Sequence, residues 1–245
     1  MATRMHETKI IDYVKLLNQL EIKQDDNILL HADLRMFGRV KGGYNFIIDE
    51  LLKFVGSQGT IATPSFTFSF PDKFDLINSR SKVGGLTSLF SKQKNVQRVP
   101  DGMTSYYLLG GRSREFIENW DNTSYGELSI LGQMVKLNGS VLQFNTDILS
   151  LVHYVEQKVN VPYRELKRFE GEIITDGKSY FSHTDFYARV RDVKKIIPDP
   201  IRSEFYAQRA RQIMFNGRTV RSFKMKDYVD FATSKLTKDK MLLVE

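Results

Sequence analysis

The chain contains no cysteine. That excludes disulfides, thiolate metal sites and a cysteine nucleophile. Six prolines in 245 residues leave no proline-rich linker to divide the chain. No window approaches 18 consecutive apolar residues, so no transmembrane helix is expected. The N-terminal MATRMHETKIIDYVKLL lacks the apolar core of a secretory signal, and a cytoplasmic location is expected. The patterns GxxxxGK[ST], GxGxxG and GxSxG are absent, which removes a P-loop, a dinucleotide fingerprint and a nucleophile elbow. HExxH is absent as well. The four histidines, His6, His31, His153 and His183, stand at no metal-ligand spacing, so no metal is expected.

What the sequence does have is a positive balance, with 36 Lys and Arg against 29 Asp and Glu. The excess is densest after residue 158, in KRFEG, RVRDVKK and RQIMFNGRTVR. Nucleic acid, a phosphorylated small molecule and plain solubility all accommodate such a balance. Charge alone does not choose among them.

Apolar spacing predicts a helix over 7–21, a short buried strand over 27–31, a glycine-bearing loop, a helix over 44–55 and a second strand over 59–63. That order reads as a β-α-β unit with parallel strands. Pro64 excludes a central-strand position for the following TPSFTFSF. This run is either an edge strand or a ligand loop at the carboxyl end of the sheet. Helices are expected near 84–91, 112–120 and 129–137, with a strand at 106–109. The run VLQFN (141–145) reads as a buried strand, and a helix follows it. Asp176-Gly177 between two extended runs predicts a hairpin over 171–181, with another extended run at 186–190. Helices over 204–215 and 225–235 flank a strand at 219–223. The expected fold is a three-layer α/β/α core with a partly parallel sheet and an antiparallel β-rich C-terminal subregion. One domain is expected over 1–245, with the α/β core at about 1–160 and the β-rich, acceptor-side part at about 161–245.

The helix after VLQFN carries His153 and Glu156, three residues apart and so on one face. A base and its orienting carboxylate need such a pair, and a packed structural histidine fits the same residues.

Several segments in order resemble one family, the aminoglycoside 3-N-acetyltransferases. LLHADLRMFGRVKGG (29–43) resembles its hHSSLxxhGxVxGG loop, and GTIATPSFTFSF (59–70) its GTLxMPTFTF run. RSKVGGL (80–86) resembles SRMGxLTE, the stretch 98–110 resembles RSxHPxxSFxxxG, and SYGELSIL (124–131) resembles TPFGxxSPL. LVHYVE (151–156) matches the HxxE helix. HYVE with VPYRELKRFEG is similar to a subgroup of amino-sugar N-acyltransferases of surface-polysaccharide (lipopolysaccharide O-antigen) biosynthesis. The resemblance spans roughly residues 27–175. HSS is replaced by His31-Ala32-Asp33, and HP by Asp101-Gly102.

The resemblance implies an acyl-CoA-dependent N-acyltransferase outside the GNAT fold, with acetyl-CoA or another acyl-CoA as co-substrate. His153 would be the general base, with Glu156 fixing its tautomer or binding the acceptor ammonium. Ser65, Thr67 and Ser105 would meet the departing thiolate. His31, Ala32, Asp33, Leu34, Gly38 and Val40 would line the CoA loop, with Arg35, Arg39 and Lys41 near its phosphates. Tyr163, Arg164 and Lys167 would contact the acceptor. A nucleotide-linked amino sugar is the acceptor expected first. An aminoglycoside and an inactive ligand-binding relative are the alternatives. Neither nucleic acid nor membrane insertion is expected, and a homodimer is allowed.

Overall fold

The computed structural model describes residues 8–190 and 192–245; His6 lies outside them. The first helix, α1 (Ile10–Gln19), presents Tyr13, Leu16 and Leu17 to the interior. Strand β1 (Asn27–Ala32) is buried on both faces, as its unbroken apolar run requires. Ile28 and Leu30 enter one core with α1, while Leu29 enters the other. A 3-10 turn at Leu34–Phe37 leads to α2 (Asn45–Val55), whose Ile47, Ile48, Leu51 and Val55 cover the same face as α1.

β2 (Thr60–Pro64) then pairs parallel to β1. Pro64 thus ends an interior strand, where the sequence had argued against one. It is tolerated because the parallel ladder to β1 ends there, and the Leu30 carbonyl left without a backbone donor accepts from the Thr63 hydroxyl instead (3.1 Å). The segment after Pro64 is a loop, not an edge strand. Next come β3 (Phe74–Asp75), α3 (Leu86–Phe90), β4 (Gln97–Arg98), β5 (Tyr106–Gly110), α4 (Ser113–Glu118), α5 (Ile130–Lys136) and β6 (Ser140–Phe144). β6 pairs parallel to β1 on the side away from β2.

The second half contains α6 (Leu151–Lys158), β7 (Arg164–Thr175), β8 (Lys178–Arg189), α7 (Pro200–Gln208), β9 (Arg211–Phe215), β10 (Arg218–Lys224) and α8 (Met225–Lys238). The main sheet runs β4-β5-β2-β1-β6-β10-β9, parallel at its centre and antiparallel at both flanks. α1 and α2 pack on one face; Leu131, Leu151, Val155, Val229 and Ala232 of α5, α6 and α8 pack on the other. This is the expected three-layer α/β architecture. No helix among the described residues is long and apolar enough to cross a membrane.

Two further expectations change. The hairpin reaches from Arg164 to Arg189 and forms a separate three-stranded sheet, β3-β7-β8, around the Asp176-Gly177 turn. The expected helix over 204–215 ends at Gln208, and 211–215 is strand β9. Asn216 and Gly217, both at positive φ, make the tight turn into β10 that such a pair favours.

Candidate active site

From β1 the main sheet runs to β2 on one side and to β6 on the other. A crevice therefore opens at the carboxyl ends of these three parallel strands, where open α/β sheets hold ligands. It is a narrow cleft of about 110 Å³, lined by His31, Thr63, Pro64, Phe66, Thr146 and Ser150 among others. His31 is buried, its Nε2 has no partner, and burial lowers its pKa to about 4. At neutral pH it is therefore an uncharged imidazole with a free polar atom at the cleft wall.

The loop from β6 into α6 forms the opposite wall. The Gln143 amide donates to the Ile148 carbonyl (2.8 Å), and the Asn145 backbone N–H donates to the Thr219 carbonyl (2.9 Å). The Tyr106 hydroxyl donates to Ser150 Oγ (3.2 Å), anchoring the start of α6. Helix α6 buries Leu151, Val152 and Val155 in the core, which turns His153 and Glu156 toward the β7–β8 sheet.

There the two side chains meet. His153 Nδ1 lies 2.6 Å from Glu156 Oε2, and the Tyr163 hydroxyl donates to Glu156 Oε1 (3.1 Å). Arg164, the first residue of β7, places Nε 2.8 Å from Glu156 Oε2 and Nη2 3.0 Å from His153 Nδ1. Its Nη1 donates to the Tyr187 carbonyl (2.9 Å). The side chains of Glu156 and Arg164 are each only 5% exposed, against 22% for His153. Burial acts to raise the Glu156 pKa, but His153, Arg164 and Tyr163 outweigh it and bring it to about 2. A carboxylate at 2.6 Å requires the Nδ1 proton, which leaves Nε2 as the lone-pair nitrogen. Among the described residues, Nε2 makes no hydrogen bond. Burial, opposed by Glu156 and reinforced by Arg164, holds the His153 pKa below its ordinary 6.5. The imidazole is thus unprotonated at neutral pH and can accept a proton at Nε2.

A chain of aromatic rings joins the base to the cleft. Tyr125 packs on His153 with centroids 5.1 Å apart, and Phe186 packs on Tyr125 at 5.6 Å. Phe68 contacts both Phe186 (6.3 Å) and the cleft residue Phe66 (6.0 Å). Phe68 holds a positive φ of 49°, an uncommon conformation for a bulky residue and one concentrated at functional sites.

The other expected site residues fall into three groups. His31, Ala32 and Ser65 lie at or beside the cleft; Ser65 Oγ is buried without a partner. Thr67, Ser105 and Asp33 are committed elsewhere. Thr67 Oγ1 donates to the Gly102 carbonyl (3.3 Å), and Ser105 Oγ to the Val99 carbonyl (2.8 Å). Asp33 caps the 3-10 turn, pairs with Arg35 at 2.8 Å and accepts from Asn145. Leu34, Gly38 and Val40 are half-buried around that turn, with Arg35, Arg39, Lys41 and Lys167 at the surface; Lys167 pairs with Glu165. Arg164, expected to contact acceptor, is instead buried against Glu156. Tyr163, likewise expected on the acceptor, is buried with its hydroxyl on the same carboxylate.

Asp101-Gly102 is structural. The buried Asp101 carboxylate accepts from the Met103 and Thr104 backbone N–H groups and from the Thr104 and Ser124 hydroxyls. A Cβ on Gly102 would meet the Phe70 ring at 2.4 Å, so only glycine fits.

Sequence reasoning missed a second, polar cleft of about 380 Å³ that adjoins the first at Gly84 and Thr87. Arg80, Lys92 and the hydroxyls of Ser79, Ser81 and Ser88 line it. Twelve positions separate the two cations, and α3 brings them to one place. Arg80 lies inside the RSKVGGL stretch, which was the available signal.

Comparison with known proteins bears on the family and the fold. The model of the family described as aminoglycoside 3-N-acetyltransferase matches residues 29–237. Aminoglycoside N(3)-acetyltransferase III of Pseudomonas aeruginosa is 23% identical over 197 residues, 71% of this chain and 73% of that one. The structure of AAC-IIIb binary with CoASH superposes with a TM-score of 0.80 at 22% identity, covering 95% of this chain and 97% of the other. A neutron and X-ray structure of sisomicin-bound AAC-VIa gives 0.82 at 17% identity, covering 95% and 99%.

Proposed function

The chain belongs to the aminoglycoside 3-N-acetyltransferase family, and on that premise we propose that it moves an acetyl group from acetyl-CoA to a primary amine of an aminoglycoside-type sugar, with His153 as general base. It is an acyl-CoA-dependent N-acyltransferase, with acetyl-CoA as co-substrate. The observation that carries the base assignment is the 2.6 Å contact between His153 Nδ1 and Glu156, which leaves Nε2 free.

The chemistry balances around one proton. The amine nitrogen attacks the thioester carbonyl carbon, and Nε2 takes the proton the nitrogen must lose. The carbon–sulfur bond then breaks, and the imidazolium returns its proton to the departing thiolate. The products are an amide and free CoA, and His153 is neutral again. Glu156 stabilises the transient imidazolium without itself taking a proton, as the pKa of about 2 requires.

The pantetheine arm suits the narrow cleft beside His31, and the phosphates suit the polar cleft of Arg80 and Lys92. Arg35 is less suited, because Asp33 already holds it. Replacing Arg80 and Lys92 together by Ala is expected to raise KM for acetyl-CoA about a hundredfold or more with little change in kcat, since each charged hydrogen bond is worth about 1.5–3 kcal/mol. Steady-state kinetics at fixed acceptor check this. An unchanged KM would move the phosphates elsewhere.

A nucleotide-linked amino sugar is a second reading of the acceptor. It is favoured by Lys195, a cation acting on His153 that makes no ion pair among the described residues, whereas Arg164 is taken up by Glu156. The relatives reported above lend no support to the polysaccharide subgroup. Thiol release from acetyl-CoA with sisomicin, gentamicin and a nucleoside-diphosphate amino sugar separates the readings. Turnover with the aminoglycosides supports the first. Turnover confined to the nucleotide sugar transfers the assignment to the second, and no thiol release with any amine overturns both.

A further inference from the structure

We propose that Arg164 is a positioning residue that keeps His153 a free base, by locking Glu156 in place and setting a fixed positive charge against Nδ1. The proposal rests on the acyltransferase reading for its kinetic consequence, but not for its geometry.

A histidine 2.6 Å from a buried carboxylate faces a difficulty as a base. The carboxylate favours the imidazolium, and an ordinary Glu–His ion pair would hold the ring protonated. A protonated ring has no lone pair for the incoming amine. Burial already opposes the imidazolium; a group that adds to it must offset the carboxylate without removing it, because the carboxylate is also what fixes the tautomer.

Arg164 meets both conditions. Its guanidinium lies 2.8 Å from the same Glu156 oxygen that His153 contacts, and 3.0 Å from Nδ1 itself. Because Nδ1 carries its proton toward Glu156, the Arg164 contact is not a hydrogen bond to a lone pair. It is a cation pressed against a ring that must not become a cation. The tether from Nη1 to the Tyr187 carbonyl on β8 holds the guanidinium there. Tyr163 takes the other Glu156 oxygen, so the carboxylate cannot rotate away.

Groups from four parts of the chain face the ring. Glu156 lies on its own helix, Arg164 at the start of β7, Tyr125 in the segment before α5, and Lys195 in the segment before α7. Lys195 adds positive charge in the same sense as Arg164. Of these cations only Arg164 touches both the ring and its carboxylate.

The test compares wild type, Arg164→Lys, Arg164→Met and the double variant Arg164→Met with Glu156→Gln. Two readouts are taken: the pH dependence of kcat, and the titration of the His153 imidazole by NMR. In wild type the acid limb of kcat is expected below 6.5, because burial lowers the imidazole from its ordinary value. With Arg164→Met the limb and the imidazole midpoint are expected to move up by about one pH unit or more. Arg164→Lys keeps the charge and is expected to move them less. The double variant removes both charges, leaves burial as the main influence, and is expected to bring the midpoint down again. If Arg164→Met is too unstable to assay, the double variant with Glu156→Gln alone as its reference carries the comparison. A midpoint unmoved by loss of the arginine charge, whatever happens to thermal stability, overturns the proposal. The NMR titration needs no substrate. A wild type that acetylates no amine therefore sinks the acyltransferase reading and leaves the Arg164 result to stand or fall separately.

Discussion

His153→Ala is expected to lower kcat by about 10²- to 10⁴-fold, the usual contribution of a general base, while the protein remains folded. Three features support both halves. The side chain is 22% exposed, so its loss leaves little cavity, and the face of α6 that enters the core carries Leu151, Val152 and Val155 instead. The ring's one committed atom is Nδ1, and Glu156 keeps its Arg164 and Tyr163 partners when the ring is removed. Binding of acetyl-CoA should survive, because the two clefts assigned to it include no atom of His153. The variant should therefore show a KM for acetyl-CoA close to wild type, with the loss confined to kcat. Near-normal kcat would remove His153 from the chemistry, and a large loss of thermal stability would reassign it to the fold.

Glu156→Ala is expected to be the most destabilising single change at the site, by about 3–5 kcal/mol, because it strands a guanidinium in the interior. The Arg164 side chain is 5% exposed, and its remaining interactions are the Tyr187 carbonyl and the His153 ring. The Tyr163 hydroxyl loses its acceptor in the same step. Urea denaturation measures the effect. Glu118→Ala is the control. Glu118 pairs with Arg114 on the surface of α4, with side chains 59% and 82% exposed, and its loss should leave the urea midpoint where it was.

The buried carboxylate also links stability to pH. Its folded value of about 2 is below the ordinary 4.5, so it contributes stability that is present above 4.5 and is lost as pH falls toward 2. Acid unfolding of Glu156→Ala should accordingly be shallower over that range than that of the wild type.

The pairing of His153 with Glu156 was legible in the sequence because three-residue spacing on a helix is a local fact, independent of the rest of the fold. The β1-α2-β2 unit was legible for a similar reason: apolar runs of strand and helix length stood between glycines. What escaped needed tertiary information. Arg164 was assigned to the acceptor by the family resemblance alone. Only the turn of β7 back onto α6 shows that its partner is Glu156. The hairpin was read too short because Glu165, Lys167, Arg168 and Glu170 break the apolar pattern of β7, most of whose first half faces solvent. The helical spacing of 204–208 was extended through 211–215, up to the Asn216-Gly217 turn that makes those residues the first strand of a hairpin. Asp101 read as a loss from the family pattern and is a buried turn anchor with four hydrogen bonds.

The measurement closest to the central claim is the ¹⁵N spectrum of the His153 imidazole at pH 7, assigned against His153→Ala. A neutral ring with the proton on Nδ1 and an unprotonated Nε2, titrating below 6.5, is the predicted result. A ring protonated on both nitrogens at pH 7, or neutral with its proton on Nε2, would contradict it, since neither leaves the nitrogen facing away from Glu156 free to take a proton from an amine.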